Sequence, residues 1–433
     1  MPSPPTLHAD LAWLPGSRQR ACLGVGRQAP DFQAGFFAVE RRSVHRADPQ
    51  GLAWRGEARM RVGNMVLNTA VRPLMAATLL SLMGQLAVAA PAGQPVPDLM
   101  EVAASIDVRA ISAVQLAVTR AGDRLVSVGP RGTVLLSDDG GKTWRQAGSV
   151  PSSVALTAVC FVNDKLGWAV GHSGIVLHSR DGGETWVRQL EGRQAAQQVL
   201  EEAKALEATG REGAERLLRD AQRMVEDGPD KPLLSVSFKN ERRGYVVGAY
   251  GLALATNDGG QSWQAFMARL PNPRGKHLYQ VRADGARLLI SGEQGALFRS
   301  DDAGLSFAEV RTPYPGTFFG ALSLAEDTVL AYGLRGNVWR SGDGGTAWTQ
   351  IALDHDITIT SGVRLKNGAV VLADESGRLL RSDDHGRSFS ALKAKAPNAV
   401  TALVQIDDGA LVMSGARGLS RVDAAQLVVT ENQ

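Results

Sequence analysis

One eight-residue pattern recurs along this chain and leaves few folds open. It reads SDDGGKTW from Ser137, SRDGGETW from Ser179, TNDGGQSW from Thr256, SDDAGLSF from Ser300, SGDGGTAW from Ser341 and SDDHGRSF from Ser382. The copies start 42, 77, 44, 41 and 41 residues apart. Apart from the long interval, this is the ~40–50-residue period of a four-stranded propeller blade. The pattern has the chemistry of a tight hairpin turn. Asp139, Asp181, Asp258, Asp302, Asp343 and Asp384 can accept backbone N–H groups within the turn, and Gly141 and its equivalents permit positive φ. The aromatic that ends each copy (Trp144, Trp186, Trp263, Phe307, Trp348, Phe389) is placed to pack between neighbouring blades. Burying it is worth ~2–3 kcal/mol. The fifth copy carries Ala347 where the others have Ser or Thr.

A second recurrence lies upstream of each turn: GPRG (129–132), GHSG (171–174), GAYG (248–251), GEQG (292–295), GLRG (333–336), DESG (374–377) and GARG (415–418). Each sits between two short β-rich runs, as in RLVSV before and TVLLS after the first. Seven repeats of strand, GxxG turn, strand, Asp turn and strand follow, with a further strand leading in. The seventh repeat ends near Asp423 without an Asp turn. Residues Leu99–Val108 are expected to supply its outer strand, closing the ring and removing exposed sheet edges. The expected fold is all-β: a seven-bladed β-propeller over residues 90–433.

The long interval holds an insertion at 191–230. Ala195, Ala196, Val199, Leu200, Ala203 and Leu206 recur at helical spacing. After Gly210, so do Ala214, Leu217, Leu218, Ala221, Met224 and Val225. A helical hairpin between blades 2 and 3 is predicted, its other faces charged and solvated.

Residues 1–64 hold nine Arg and no Lys and show no sustained period. We read them as a disordered extension produced by a start codon assigned too early. Residues 65–89 have the n-region, apolar run (Leu74–Leu86) and small-x-small site of a secretory signal, with cleavage expected before Ala90. An uncleaved anchor is the alternative. Export to the periplasm or an equivalent lumen is therefore expected. The net charge of +3 arises from the basic N-terminal region, the rest being mildly acidic, so no nucleic-acid partner is expected. Two cysteines exclude a disulfide scaffold. Cys160 is expected in the core.

The block GWAVGHSGIVLHSRDGGETW (167–186) resembles the BNR or Asp-box repeat. With VVGAYGLALATNDGGQSW (246–263), the set resembles the photosystem II stability and assembly factor family over residues 100–423. That resemblance implies a seven-bladed, exported or lumenal, non-enzymatic propeller that binds newly made membrane subunits. Asp boxes also occur in sialidases, on the face opposite the active site, so a carbohydrate-active propeller (sialidase-like glycosidase or lectin) is the alternative. No Arg-Ile-Pro element precedes the first repeat, and Tyr245, Tyr250, Tyr279, Tyr314 and Tyr332 show no evident acid partner. The histidines lack HxxxH or HExxH spacing, and His355 between two Asp reads as a surface loop. The GxxG turns join strand to strand, so no helix dipole is available for phosphate. No catalytic residue, metal or cofactor is expected.

Alternation of turns puts the GxxG turns, the blade connectors and the helical hairpin on one face, and the Asp turns on the other. The GxxG face then collects Arg131, His172, Tyr250, Glu293, Gln294, Arg335, Glu375 and Arg417. Arg131, Arg335 and Arg417 share a turn position and form a candidate arc for recognising carboxylates. The expected partner is a membrane-protein or envelope-complex subunit, and the chain itself is expected to be a monomer.

Overall fold

The computed structural model describes residues 97–430. The expected extension (1–64) and signal segment (65–89) lie outside the described residues. Seven antiparallel sheets follow one another along the chain: blade 1 (117–146), blade 2 (156–190), blade 3 (233–265), blade 4 (278–309), blade 5 (318–351), blade 6 (359–395) and blade 7 (400–422). Within each, strands pair in sequence order. The first strand of every blade packs on the first strands of both neighbours, and that of blade 7 packs on that of blade 1. The fold is therefore a closed seven-bladed β-propeller, with first strands innermost.

The Asp turns form as the sequence dictates. In blade 1, Ser137 Oγ donates to Asp139 at 2.8 Å and accepts from Gly141 N–H at 2.8 Å. Asp139 also accepts Thr143 N–H at 2.9 Å and Thr143 Oγ1–H at 2.6 Å. The same hydroxyl bond recurs at Asp181, Asp258, Asp302 and Asp384. At Asp343 it is missing: Ala347 offers only its N–H, shared by both carboxylate oxygens. These donors favour the ionised carboxylate. The Ser306 hydroxyl and N–H hold Asp302 at about 2, and the Thr143 hydroxyl and N–H hold Asp139 well below the usual range.

Each turn is also tied to the blade before it. The aromatic packs backward: Trp186 on blade 1, Trp263 on blade 2, Phe307 on blade 3, Trp348 on blade 4 and Phe389 on blade 5. Trp144 of blade 1 packs on Ile406, Ala410 and Val412 of blade 7. The carbonyl of the fourth turn residue accepts a hydrogen bond from the same preceding blade. Arg421 serves Gly140 at 2.6 Å, Arg124 serves Gly182, and Trp168 Nε1 serves Gly259. Tyr245 Oη serves Ala303 at 2.8 Å, Arg299 serves Gly344 at 2.6 Å, and Arg340 serves His385 at 2.8 Å.

Ring closure departs from the expected route. Residues Leu99–Val108 form no strand, and blade 7 keeps three. The chain after blade 7 instead turns through Ala424–Gln426 and bridges Val429 to Leu392, on the outer strand of blade 6. Leu427 and Val429 join the core between blades 6 and 7, where the other blades place their turn aromatic. Arg381 of blade 6 donates to the Leu427 carbonyl, completing the series. Closure between blades 7 and 1 rests on Trp144, on Arg421, and on Arg120, which chelates Asp407 at 2.7 and 2.6 Å. Thr401 Oγ1 adds a bond to the Gln115 carbonyl at 2.8 Å. One backbone bond, from Gln115 N–H to the Gly415 carbonyl at 3.0 Å, joins the two blades as well, but no strand is shared between the two sheets.

The predicted hairpin is present as α1 (Gly192–Glu207) and α2 (Ala214–Asp227). Glu191 caps α1, its carboxylate accepting Gln194 N–H while the Gln194 side chain accepts Glu191 N–H. Ala195, Ala196, Val199, Leu200 and Ala203 of α1 and Ala221 and Met224 of α2 are buried against blades 2 and 3, and Ala214 at the start of α2 is buried too. Val225, expected on the buried face, is exposed. Cys160 packs beside this core, and desolvation pushes its thiol up to about 12.

Three outcomes are expected. Arg421→Ala, which strips the closing bond to Gly140 and the ion pairs to Asp408 and Asp423, should lower stability by about 1–3 kcal/mol in denaturant titrations. Ala347→Thr should restore the missing hydroxyl bond and raise the melting temperature. The carboxylates of the Asp turns have depressed folded-state pKa values. Their stabilising contribution is complete above the unfolded value near 4 and is lost as pH falls through about 2, so acid titration followed by circular dichroism should show loss of structure in that window.

Candidate partner-binding face

The GxxG turns are built by close approach. A side chain on the first Gly would clash with a connector carbonyl: Val114 at Gly129, Ala155 at Gly171, Pro232 at Gly248, His277 at Gly292, Thr317 at Gly333 and Ala399 at Gly415. In blades 1 to 5 the third turn residue is left-handed: Arg131, Ser173, Tyr250, Gln294 and Arg335 have φ of 52–57°. A non-glycine residue in that region costs roughly 1 kcal/mol. Arg131, Tyr250, Gln294 and Arg335 are exposed.

The expected equivalence of the three arginines holds for two. Arg131 and Arg335 share the left-handed conformation, whereas Arg417 does not. Blade 7 has a two-residue hairpin between the paired Gly415 and Gly418, and Asn398 Oδ1 accepts the Arg417 N–H. Blade 6 differs too: fully buried Asp374 replaces the first Gly and accepts from Ser376 N–H, Arg378 N–H and Arg378 Nε. In blade 2, His172 occupies the second turn position, half-buried, and desolvation lowers its pKa. The residue at the arginine position is Ser173, against which α1 begins at Gly192. Among the described residues, Arg131, Arg335 and Arg417 make no ion pair, though the field of Arg131 reaches Asp107.

Beside blade 3 lies a groove of about 900 Å³ absent from the sequence reading. Val199, Ala203, Leu217 and Met224 of the helices form one side; Tyr250, Met267 and the connector 270–275 form the other. Arg211 donates to the Ala268 carbonyl, tethering the hairpin to that connector. Burial pushes the Glu202 carboxyl up in the same groove. Lys231 sits 5.0 Å from the Tyr250 ring and pairs with Asp227 at 3.0 Å and Asp230 at 2.5 Å. Its burial opposes the charge, but the two carboxylates prevail and its pKa is raised. Tyr250 N–H donates to His277 Nδ1 at 2.8 Å, and Lys276 Nζ donates to the Gln294 carbonyl at 3.1 Å. Tyr250 and Gln294 are thus joined through one connector. The Pro-Asn-Pro-Arg-Gly run at 271–275 was the available signal, marking a blade connector longer than a turn needs.

The arrangement suits binding. It offers guanidinium groups outside ion pairs, an aromatic with a neighbouring cation, and a groove lined by both apolar and charged side chains. Burial raises the pKa of Tyr245, Tyr279, Tyr314 and Tyr332, the opposite of what activates a phenolic nucleophile. Among the described residues no cluster of three His, Cys, Asp or Glu could hold a metal. No described helix is long and apolar enough to cross a membrane.

Comparison with solved structures gives the same fold. A structure of YCF48 bound to D1 peptide aligns with TM-score 0.52 at 16% identity, covering 76% of this chain and 97% of the other. YCF48 from Cyanidioschyzon merolae aligns with TM-score 0.55 at 15% identity, covering 75% and 99%. The WD40 β-propeller domain of Doa1 aligns with TM-score 0.52 at 12% identity, covering 74% and 95%. No curated protein matches by sequence. A family model, photosynthesis system II assembly factor YCF48, matches residues 112–219 and 214–371. The match spans more than half of the sequence, and the chain belongs to that YCF48 assembly-factor family.

Proposed function

We propose that this protein is an exported, non-catalytic assembly factor that holds a segment of a membrane-protein or envelope-complex subunit on its GxxG face. The observation that carries the reading is the display of Arg131, Arg335 and Arg417 on that face, exposed and without ion pairs to described residues. Guanidinium groups favour carboxylates through two parallel hydrogen bonds, and the neighbouring groove would receive apolar side chains. Family membership supports the reading, as does the related YCF48 structure, which holds a D1 peptide. The segment 65–89 would direct export, placing the propeller in the periplasm or an equivalent lumen. The protein would act as a monomer and without nucleic acid.

The test is cross-linked affinity purification from native membranes. Wild type should retain a membrane subunit. Arg131→Glu/Arg335→Glu/Arg417→Glu, shown to melt like wild type, should lose it by at least ~10-fold. Equal capture by both proteins would sink the assignment to this face, and turnover of a glycoside panel by the pure protein would replace it with carbohydrate chemistry.

A further inference from the structure

Residues 97–114, expected in part as a strand, form a strap across the GxxG face. It starts beside α1, where Asp98 lies 3.9 Å from Arg193. The Leu99 carbonyl accepts from Ser153 N–H, Ala104 N–H donates to the Val150 carbonyl, and Asp107 N–H donates to Gln146. Ala104 lies over the blade 1 turn at Gly132, and Ile111–Ser112 over the blade 7 turn at Gly418. The strap therefore runs from blade 2, across blade 1, to blade 7.

Its outward surface is unusually apolar. Of the eleven exposed large hydrophobic residues among the described ones, six are here: Leu99, Val102, Ile106, Val108, Ile111 and Val114. Ile106 is 73% exposed and Val108 86%. None of the six lines the groove beside blade 3. Every acid of the strap has a cation: Asp98 with Arg193, Glu101 with Arg188, Asp107 with Arg109. Arg131 and Arg417, on the two turns it crosses, form no ion pair among the described residues, though Arg131 lies within the field of Asp107. The strap also lies ten residues beyond the apolar run Leu74–Leu86.

A run of exposed aliphatic side chains flanked by arginines outside ion pairs has the makeup of an interfacial membrane contact: the aliphatic groups enter the acyl boundary while the guanidiniums meet anionic headgroups. We propose that the strap, with Arg131 and Arg417, is a lipid-contacting edge that seats the GxxG face on an anionic bilayer. This does not rest on the partner-binding reading, but it shares Arg131 and Arg417 with it, so vesicle binding and partner capture are measured separately.

The ring is complete within residues 97–430, so the chain from Ala90 can be tested without the apolar run. It should co-sediment with phosphatidylglycerol-containing vesicles and much less with pure phosphatidylcholine. Ile106→Ser/Val108→Ser/Ile111→Ser, at exposed positions that leave the core intact, should weaken partitioning on the order of 100-fold. Arg131→Gln/Arg417→Gln should cost about fivefold per arginine on anionic vesicles and nothing on neutral ones. Absence of vesicle binding by wild type overturns the proposal, as does binding unchanged in the serine variant. If wild type ignores vesicles while the serine variant loses its captured membrane subunit, the strap is a protein interface and the lipid contact is wrong. Vesicle binding with no partner captured would leave the lipid contact standing and remove the assembly reading alone.

Discussion

The structure depends on the bond between each Asp turn and the blade before it. A turn carbonyl that would otherwise face outward is taken by a donor one blade back, and the aromatic of the same turn buries itself on that blade. Donor identity varies: Arg in four blades, a Trp in one, a Tyr in another. The geometry does not vary, because the turn carbonyl is fixed by the Asp and Gly of the repeat. A propeller must hold its blades in a circle, and each blade has only one neighbour on each side. Coupling the most rigid element of one blade to the next fixes the step angle six times, and the segment after blade 7 supplies the seventh contact.

This division of labour explains why the two faces differ. On the Asp face the Asp, Ser and Thr side chains of the repeat bond to one another and to the turn backbone. On the GxxG face, the first glycine of most turns lets the backbone pack on a connector. That packing fixes the turn without using its side chains. The third residue, left-handed in five blades, is then free to vary, as Arg, Ser, Tyr and Gln show. The hairpin α1–α2 and the strap both use this face, and together they change a ring of turns into an uneven surface with a groove beside blade 3.

Much of this was legible in the sequence. The Asp turns, the seven GxxG turns, the helical hairpin and their distribution between faces follow from local chemistry and from strand alternation. Three features were not. Leu99–Val108 was expected as a strand but becomes a strap, held by the connector between blades 1 and 2 and by Gln146. Arg417 looks equivalent to Arg131 and Arg335 in GxxG notation. It is not, because Asn398, distant in a connector, holds its N–H and the hairpin is shorter. The groove needs α2, the 270–275 connector and Tyr250 to meet, and no local pattern relates them.

The sequence by itself determined the repeat, the blade number and the face on which each turn emerges. Those are consequences of hydrogen bonding within eight residues and of the alternation of strand direction. Only the tertiary structure decided how the ring closes, which arginines share a conformation, where the insertion leaves a groove, and that residues 97–114 lie across the turns with six large apolar side chains exposed. Each of these depends on contacts between residues tens to hundreds of positions apart, which local preference does not set.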